Sequence, residues 1–304
     1  MADAIIGAAR PADQPAEGGR VPAARPLRAA AYTMVANKGA LAGLAVIIIM
    51  VLFSFVGPFF YHSNQITTDL PAQLRPPSAA HPLGTDNEGY DELGRLMLGG
   101  QTSLEIGLAA AVVATVIGVG YGALSGFVGG VVDGLMMRIV DALLAIPTLF
   151  LLIYLFTVYQ ASPVLLILVI GLVAWLVPAR LVRAETLSLR TREYVQAVRV
   201  MGGSRFRMII RHIIPNTIGT ITVNATFQVA DAVLALAGLS FLGLGIPPPA
   251  ANWGGMLSTG INYVYAGDWW VIYPPGIAIL LTVMAFNAVG DALRDVFDTR
   301  LRPR

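Results

Sequence analysis

The sequence has no cysteine, only three histidines and little charge: Asp, Glu, Lys and Arg together make up 12% of its 304 residues. A water-soluble domain carries about 25% charged residues, so this chain has too few to coat a globule of its size. Soluble enzymes, nucleic-acid binders and disordered chains are poor readings on that ground. The missing cysteines exclude disulfides, thiolate metal sites and cysteine nucleophiles. His62, His81 and His212 are too few for a histidine metal cage, so no metal site is expected. Also absent are a G-x-x-x-x-G-K-[ST] phosphate loop and a Ser/His/Asp set on one side of a membrane. What remains is plentiful apolar residue, at 56% hydrophobic and a mean hydropathy of +0.70. That composition belongs to an all-α polytopic membrane protein.

Crossing a hydrocarbon core of about 30 Å takes roughly 20 helical residues. Gly39–Phe60 has no ionisable group and forms a first span. A second runs from about Thr102 to Ser125, interrupted by Glu105. Ala142–Ala179 is 38 uncharged residues, about 57 Å of helix and too long for one crossing. Tyr159-Gln160-Ala161-Ser162-Pro163 supplies the turn that divides it in two. Thr217–Gly245, containing Asp231, and Trp269–Gly290 bring the expected number of membrane helices to six.

Basic residues set the orientation. Of the 20 Lys and Arg, 18 fall in the N-terminal arm, at Arg138, in 180–211 or after 293. Only Arg75 and Arg95 lie on the other side. Both termini and the 180–211 loop are therefore expected in the cytoplasm. Residues 1–35, rich in Ala, Pro and Gly without periodicity, read as a disordered cytoplasmic arm. Trp253, Tyr263, Tyr265, Trp269, Trp270 and Tyr273 gather at the outer end of the last helix. They read either as an interfacial belt or as the packing of an outer loop.

The 180–216 loop is long, basic and patterned as two helices. Leu187, Tyr194, Val195 and Val198 lie near one face of Ala184–Val200, and Gly202-Gly203 stops that helix. Ser204 suits the N-cap of the next, where Phe206, Ile209, Ile210 and Ile213 form an apolar stripe. The pattern alone suits both an elbow that transmits a push from a soluble partner and an amphipathic hairpin lying on anionic lipid.

The wording of the loop bears on that choice. Glu193-Tyr194-Val195-Gln196-Ala197-Val198-Arg199-Val200-Met201-Gly202-Gly203-Ser204, followed by Arg211-His212-Ile213-Ile214-Pro215-Asn216, resembles the EAA loop of binding-protein-dependent ABC importer permeases. Gln196, Val198, His212 and Ile214 depart from the usual pattern. Four further stretches resemble the peptide/nickel subfamily of dipeptide and oligopeptide permease C type. They are His81-Pro82-Leu83-Gly84-Thr85-Asp86, Met137–Asp141 with Ala145-Ile146-Pro147, Leu239–Gly245 with Trp253–Leu257, and Gly290–Asp295. Tyr90 stands where that subfamily usually has Arg, Leu236 where an acid is common, and Thr299 where Pro is usual.

The resemblance implies a type I ABC importer permease fold in the bacterial cytoplasmic membrane, and a peptide substrate. Its expected partners are a homologous second permease subunit in a heterodimer, two cytoplasmic ABC ATPases, an extracytoplasmic substrate-binding protein and membrane lipid, with no nucleic acid. ATP and Mg would reside on the ATPases, with no cofactor on this chain and no enzymatic activity of its own. Coupling would fall to Val195, Gln196, Ala197, Val198 and Arg199, to Gly202 and Gly203, and to Ser204, Arg205 and Arg207. The chain then divides into the arm 1–35, a first membrane helix 36–60, an extracytoplasmic loop 61–100 and a core of five helices over 101–304. The core carries the coupling loop 180–216 and an outer loop 246–268. The acids of 61–100 (Asp69, Asp86, Glu88, Asp91 and Glu92) read as meeting a partner, and 246–268 as a scoop under the binding protein.

Charges in membrane spans are costly and often functional. Glu105, Asp141, Asp231 and Asp291 would, alone, also suit a proton-coupled secondary transporter. Asp141 and Asp291 read as ion pairs at helix ends, near Arg138 and Arg294. Asp231, at mid-span, is the candidate for the translocation pathway. Gly122, Gly126 and Gly130 read as a close-packing face. Nickel chelate, glutathione and haem remain alternative substrates, and a non-transporting membrane scaffold is a further alternative.

Overall fold

The computed structural model describes residues 37–298; the arm 1–35, Thr299 and the last basic residues lie outside the described residues. The described residues are helical, and their one isolated β-bridge joins Thr85 and Asp91. The first helix, α1 (Lys38–Phe60), is capped by Asn37, whose Oδ1 accepts from the N–H groups of Gly39 and Ala40. A π-turn at Leu52–Val56 interrupts it.

Helix α2 (Glu92–Val128) has 37 residues, about 55 Å at 1.5 Å per residue. It begins some way before the expected Thr102, and the reason is its cap. Asp91 Oδ1 accepts from Gly94 N–H, and the charges of Glu92 and Arg95 fold into the outer loop rather than ending the helix. Hydropathy marks where a membrane stops, which need not be where a helix stops.

Three apolar clusters are threaded by α2. In the first, Ile106 and Ala110 meet Leu152, Phe156, Leu166, Ile170, Ala232, Leu236 and Leu239. In the second, Leu96 and Leu104 meet Trp253, Met256, Ala278 and Ile279. In the third, Ala114 meets Val140, Trp175, Leu176 and Ala179. Leu236, standing where an acid is common, is 1% exposed within the first cluster.

The long uncharged run folds less simply than two straight spans. A helix α3 (Gly130–Leu144) bends by 75° into α4 (Thr148–Val158) across Ala145–Pro147. The turn near Tyr159–Pro163 forms as the sequence leads one to expect. Ser162 caps α5 (Pro163–Ala174), which bends by 42° into α6 (Leu176–Leu189). Four helices are long and apolar enough to cross a membrane singly, and the number is six if each bent pair is one span. The short helices α7 (Glu193–Val200) and α8 (Arg205–Met208) make the elbow. They lead into α9 (Ile218–Phe241), α10 (Trp253–Gly260) and α11 (Tyr273–Asp298).

The glycine face is real but shifted by one step. A Cβ on Gly118 would fall 2.6 Å from Pro178 Cβ, and one on Gly126 would fall 2.8 Å from Arg183 O. One on Gly122 would collide with Ala179 O. A Cβ on Gly130 would meet nothing within 4 Å, and its φ of +60° follows +70° at Gly129. Gly130 therefore belongs to the α2–α3 corner. Gly118, Gly122 and Gly126 let α6 approach α2 backbone to backbone.

Candidate functional site

The elbow begins where α6 stops at Leu189, not in one helix running from Ala184 to Val200. Gln196 Nε2 donates to Arg190 O at 2.8 Å, and Thr191 Oγ1 donates to Ser188 O at 2.9 Å. These bonds satisfy the carbonyls freed at the break. The far end of α7 closes as a Schellman turn: Gly202 N–H donates to Arg199 O and Gly203 N–H to Val198 O. Gly202 sits at φ +81° with nothing within 4 Å of its Cβ position, so its demand is conformational. At Gly203 the constraint is spatial, since a Cβ there would fall 2.6 Å from Val198 Cγ1.

Ser204 caps α8, accepting from Arg207 N–H at 3.3 Å. The expected stripe of Phe206, Ile209, Ile210 and Ile213 is buried only in part. Phe206 is 75% exposed and Ile210 49%, whereas Met208 and Ile213 are buried. The cause is a π-turn over Ile209–Ile213, whose wider winding brings residues five apart onto one side. Val195 is buried, and the rings of Tyr194 and His212 lie 6.4 Å apart across the elbow. Val200, Met201 and Phe206 project from its tip beside Arg199, Arg205 and Arg207. A polar cavity of about 430 Å³ lies behind it, bordered by Arg190, Gln196, Arg199 and Arg205.

Ion pairs mount the elbow on the bundle. Arg183 grips Asp133 through two bonds, Nε to Oδ1 and Nη2 to Oδ2, each 2.6 Å. Ser125 Oγ also donates to Asp133, and Arg190 Nη1 donates to Gly126 O at 3.0 Å. Asp141 pairs with Arg180 rather than with the nearby Arg138, because α3 packs against α6. The Asp133–Arg183 pair went unnoticed in the sequence, where its members stand 50 residues apart.

Asp231 lines a cavity of about 260 Å³ with Asn224, Gln228 and Thr148. A second cavity, of about 340 Å³, is bordered by Thr220, Asn224, Phe227 and Arg294, so the two share Asn224 and Phe227. Thr220, Asn224, Gln228 and Asp231 follow one another at helical spacing on α9, a signal legible in the sequence but passed over. Glu105 borders neither cavity; it lies on the exposed side of α2 with Leu108 and Val112.

On the opposite end, three of the five loop acids expected to meet a partner are turned inward, while Asp69 is exposed and Glu88 half-buried. Asp91 is fully buried, Glu92 is 2% exposed and Asp86 is 8% exposed. Asp91 Oδ2 accepts from Tyr61 Oη at 2.9 Å and lies 2.8 Å from His81 Nδ1. Burial and the Asp91 carboxylate push the Tyr61 phenol up to about 12. Burial also raises the Asp86 carboxyl, against the opposing pull of the Glu88 and Tyr90 N–H groups and Arg95. Tyr90 fills the place of the usual Arg by lying under the Arg95 guanidinium, 4.6 Å from its ring centre.

Arg95 also donates to Pro249 O, and Trp270 Nε1 donates to Thr85 O, so the two outer loops form one unit. Trp253, fully buried and donating to Leu96 O, and Trp270 are packing residues. Tyr265, Trp269 and Tyr273 are exposed. The two readings of the aromatics thus divide by residue. Among the described residues, no group of three His, Asp or Glu side chains is placed to hold a metal ion.

Comparison with known proteins places these features in a family. Residues 118–303 match the model of the binding-protein-dependent transport system inner membrane component. Residues 26–77 match that of the N-terminal transmembrane domain of oligopeptide transport permease C. The oligopeptide transport system permease protein OppC of Bacillus subtilis is 40% identical over 266 residues, 88% of this chain and 87% of that protein. The dipeptide transport system permease protein DppC of the same organism is 38% identical, over 88% and 83%. OppC of Escherichia coli is 40% identical over 268 residues, 88% of each chain.

Proposed function

This chain belongs to the family of binding-protein-dependent transport inner membrane components, and from that premise we propose that it is the C-type permease subunit of an ATP-driven peptide importer. The names of its relatives support a peptide substrate. The observation that carries the reading is the elbow, whose exposed apolar tip is ringed by arginines and held in a capped Gly202-Gly203 turn. That is the form a subunit needs to receive force from a soluble motor.

In this reading Val200, Met201 and Phe206 enter a groove on a cytoplasmic ATPase, and Val195–Arg207 carries the coupling. ATP and Mg are held by two such ATPases. A homologous permease completes the pathway, and an extracytoplasmic binding protein delivers the peptide onto the outer loops. The termini and the elbow face the cytoplasm, in keeping with the basic residues on that side. The Arg183–Asp133 clamp ties α6, which leads into the elbow, to α3. A shift of the elbow then becomes a rigid-body tilt of the bundle rather than a local deformation. Asp231 and the stripe below it line the path.

The test is peptide uptake by proteoliposomes holding the full complex and its binding protein. Uptake should require ATP inside and survive a collapsed proton gradient. Uptake that needs the gradient and ignores ATP would favour the proton-coupled alternative that Asp231 alone suggests.

A further inference from the structure

The two cavities along α9 form one lane, since Asn224 and Phe227 border both. From Thr220 to Asp231 the stripe rises by about 16 Å. Arg294 borders the lane at its Thr220 end, and two hydrogen-bond acceptors, one on the lane and one beside it, lack a full set of partners. Asn224 Oδ1 is buried without a partner. Glu185 takes one bond from Thr220 Oγ1 at 2.7 Å, while its Oε2 is buried with none. The nitrogen of Gln228 is already engaged on Ala174 O. Asp231, at mid-span, borders the first cavity, and no hydrogen bond or ion pair engages its carboxylate among the described residues.

An unpartnered acceptor away from water costs free energy that a donor recovers. An uncompensated carboxylate within a span faces a cavity or a cation. The ligand that suits this lane therefore brings N–H donors along its length and a positive charge at one end. Resting on the transport reading above, we infer that the lane recognises a peptide's N-terminal portion. The Asp231 carboxylate takes the α-ammonium group, and the acceptors below it take backbone N–H groups. A neutral sugar would leave the carboxylate without its counter-charge. Each acceptor is single and flanked by apolar side chains, so the peptide is held weakly enough to move on.

The inference is tested in proteoliposomes holding the complete transporter and saturating binding protein loaded with either trialanine or N-acetyl-trialanine. Loading both to saturation removes the binding protein's own preference. The wild type should import the free peptide about tenfold faster, the size of one charge-assisted hydrogen bond. Asp231→Asn should slow the free peptide about tenfold more than the acetylated one, so that the preference is lost. Asp231→Glu, which keeps the charge, should restore most of the preference. Equal losses for both peptides in Asp231→Asn, or no loss for either, would overturn the assignment while leaving peptide transport standing. A wild type that imports neither peptide with ATP overturns both.

Discussion

The side-chain amide of Gln228 donates to the backbone carbonyl of Ala174 at 2.8 Å. That carbonyl is free because the residue four positions on is Pro178, which has no N–H to return. The bend between α5 and α6 is thus completed from another helix. This bond also fixes the face of α9 that looks into the cavity beside Asp231.

Gln228→Met should leave the Ala174 carbonyl unpartnered and lower stability by about 1–3 kcal/mol. Pro178→Ala restores a local donor, so Gln228→Met should cost clearly less in that background. A double-mutant cycle of thermal unfolding in detergent measures the coupling. Strict additivity would show that the two residues do not share the carbonyl.

The glycine face makes a contrast two residues apart. Gly120 has open space at its Cβ position, whereas at Gly122 a Cβ would meet the backbone oxygen of Ala179. Gly120→Ala should be neutral or stabilising by up to about 1 kcal/mol, the difference in helix propensity. Gly122→Ala should instead separate α2 from α6 and lower both the folded yield and the melting temperature. Similar behaviour of the two variants would remove the close-packing role.

At the elbow, conformation and space are separable. Gly202→Val places a β-branched residue at positive φ and should abolish uptake while leaving membrane insertion intact. Gly202→Asn, a residue that tolerates this region, should retain most uptake. Gly203→Ala should impair coupling by crowding Val198. ATP turnover and peptide uptake measured together would show whether hydrolysis continues without transport.

Asp86 gives the outer loops a pH dependence of definite sign. Its folded-state carboxyl titrates above the ordinary aspartate value because burial disfavours the charge, so the native state binds more protons than the unfolded one. The native state is therefore relatively favoured below the ordinary aspartate value, and loses that advantage as pH rises through the raised one. Asp86→Asn keeps an oxygen for the N–H groups of Glu88 and Tyr90 and should flatten this slope. Melting temperatures of the two proteins across that acid window decide it.

Much of the architecture was legible because the signals are local. Apolar runs mark the spans, Pro163 and Ser162 mark a helix start, and Gly202 marks a helix stop whatever surrounds them. The inward-facing residues of the elbow were not legible, because the π-turn at Ile209–Ile213 changes the winding that a stripe of Phe206, Ile209, Ile210 and Ile213 assumes. Nor was the fate of Asp86, Asp91 and Glu92, which look like a solvated acidic loop until the caps and ring contacts that bury them are in place.

By itself the sequence determined the class of the protein, the spans its apolar runs can make, the asymmetry of its basic residues and the family it resembles. These follow from sums over neighbouring residues, and burial in a membrane responds to such sums. The tertiary structure alone decided that Asp141 meets Arg180, that Asp133 meets Arg183, and that Asp231 shares a cavity with Gln228. Each depends on where a bend or a glycine contact sets one helix against another, and a polar side chain in a bundle answers to whatever that geometry brings within about 3 Å.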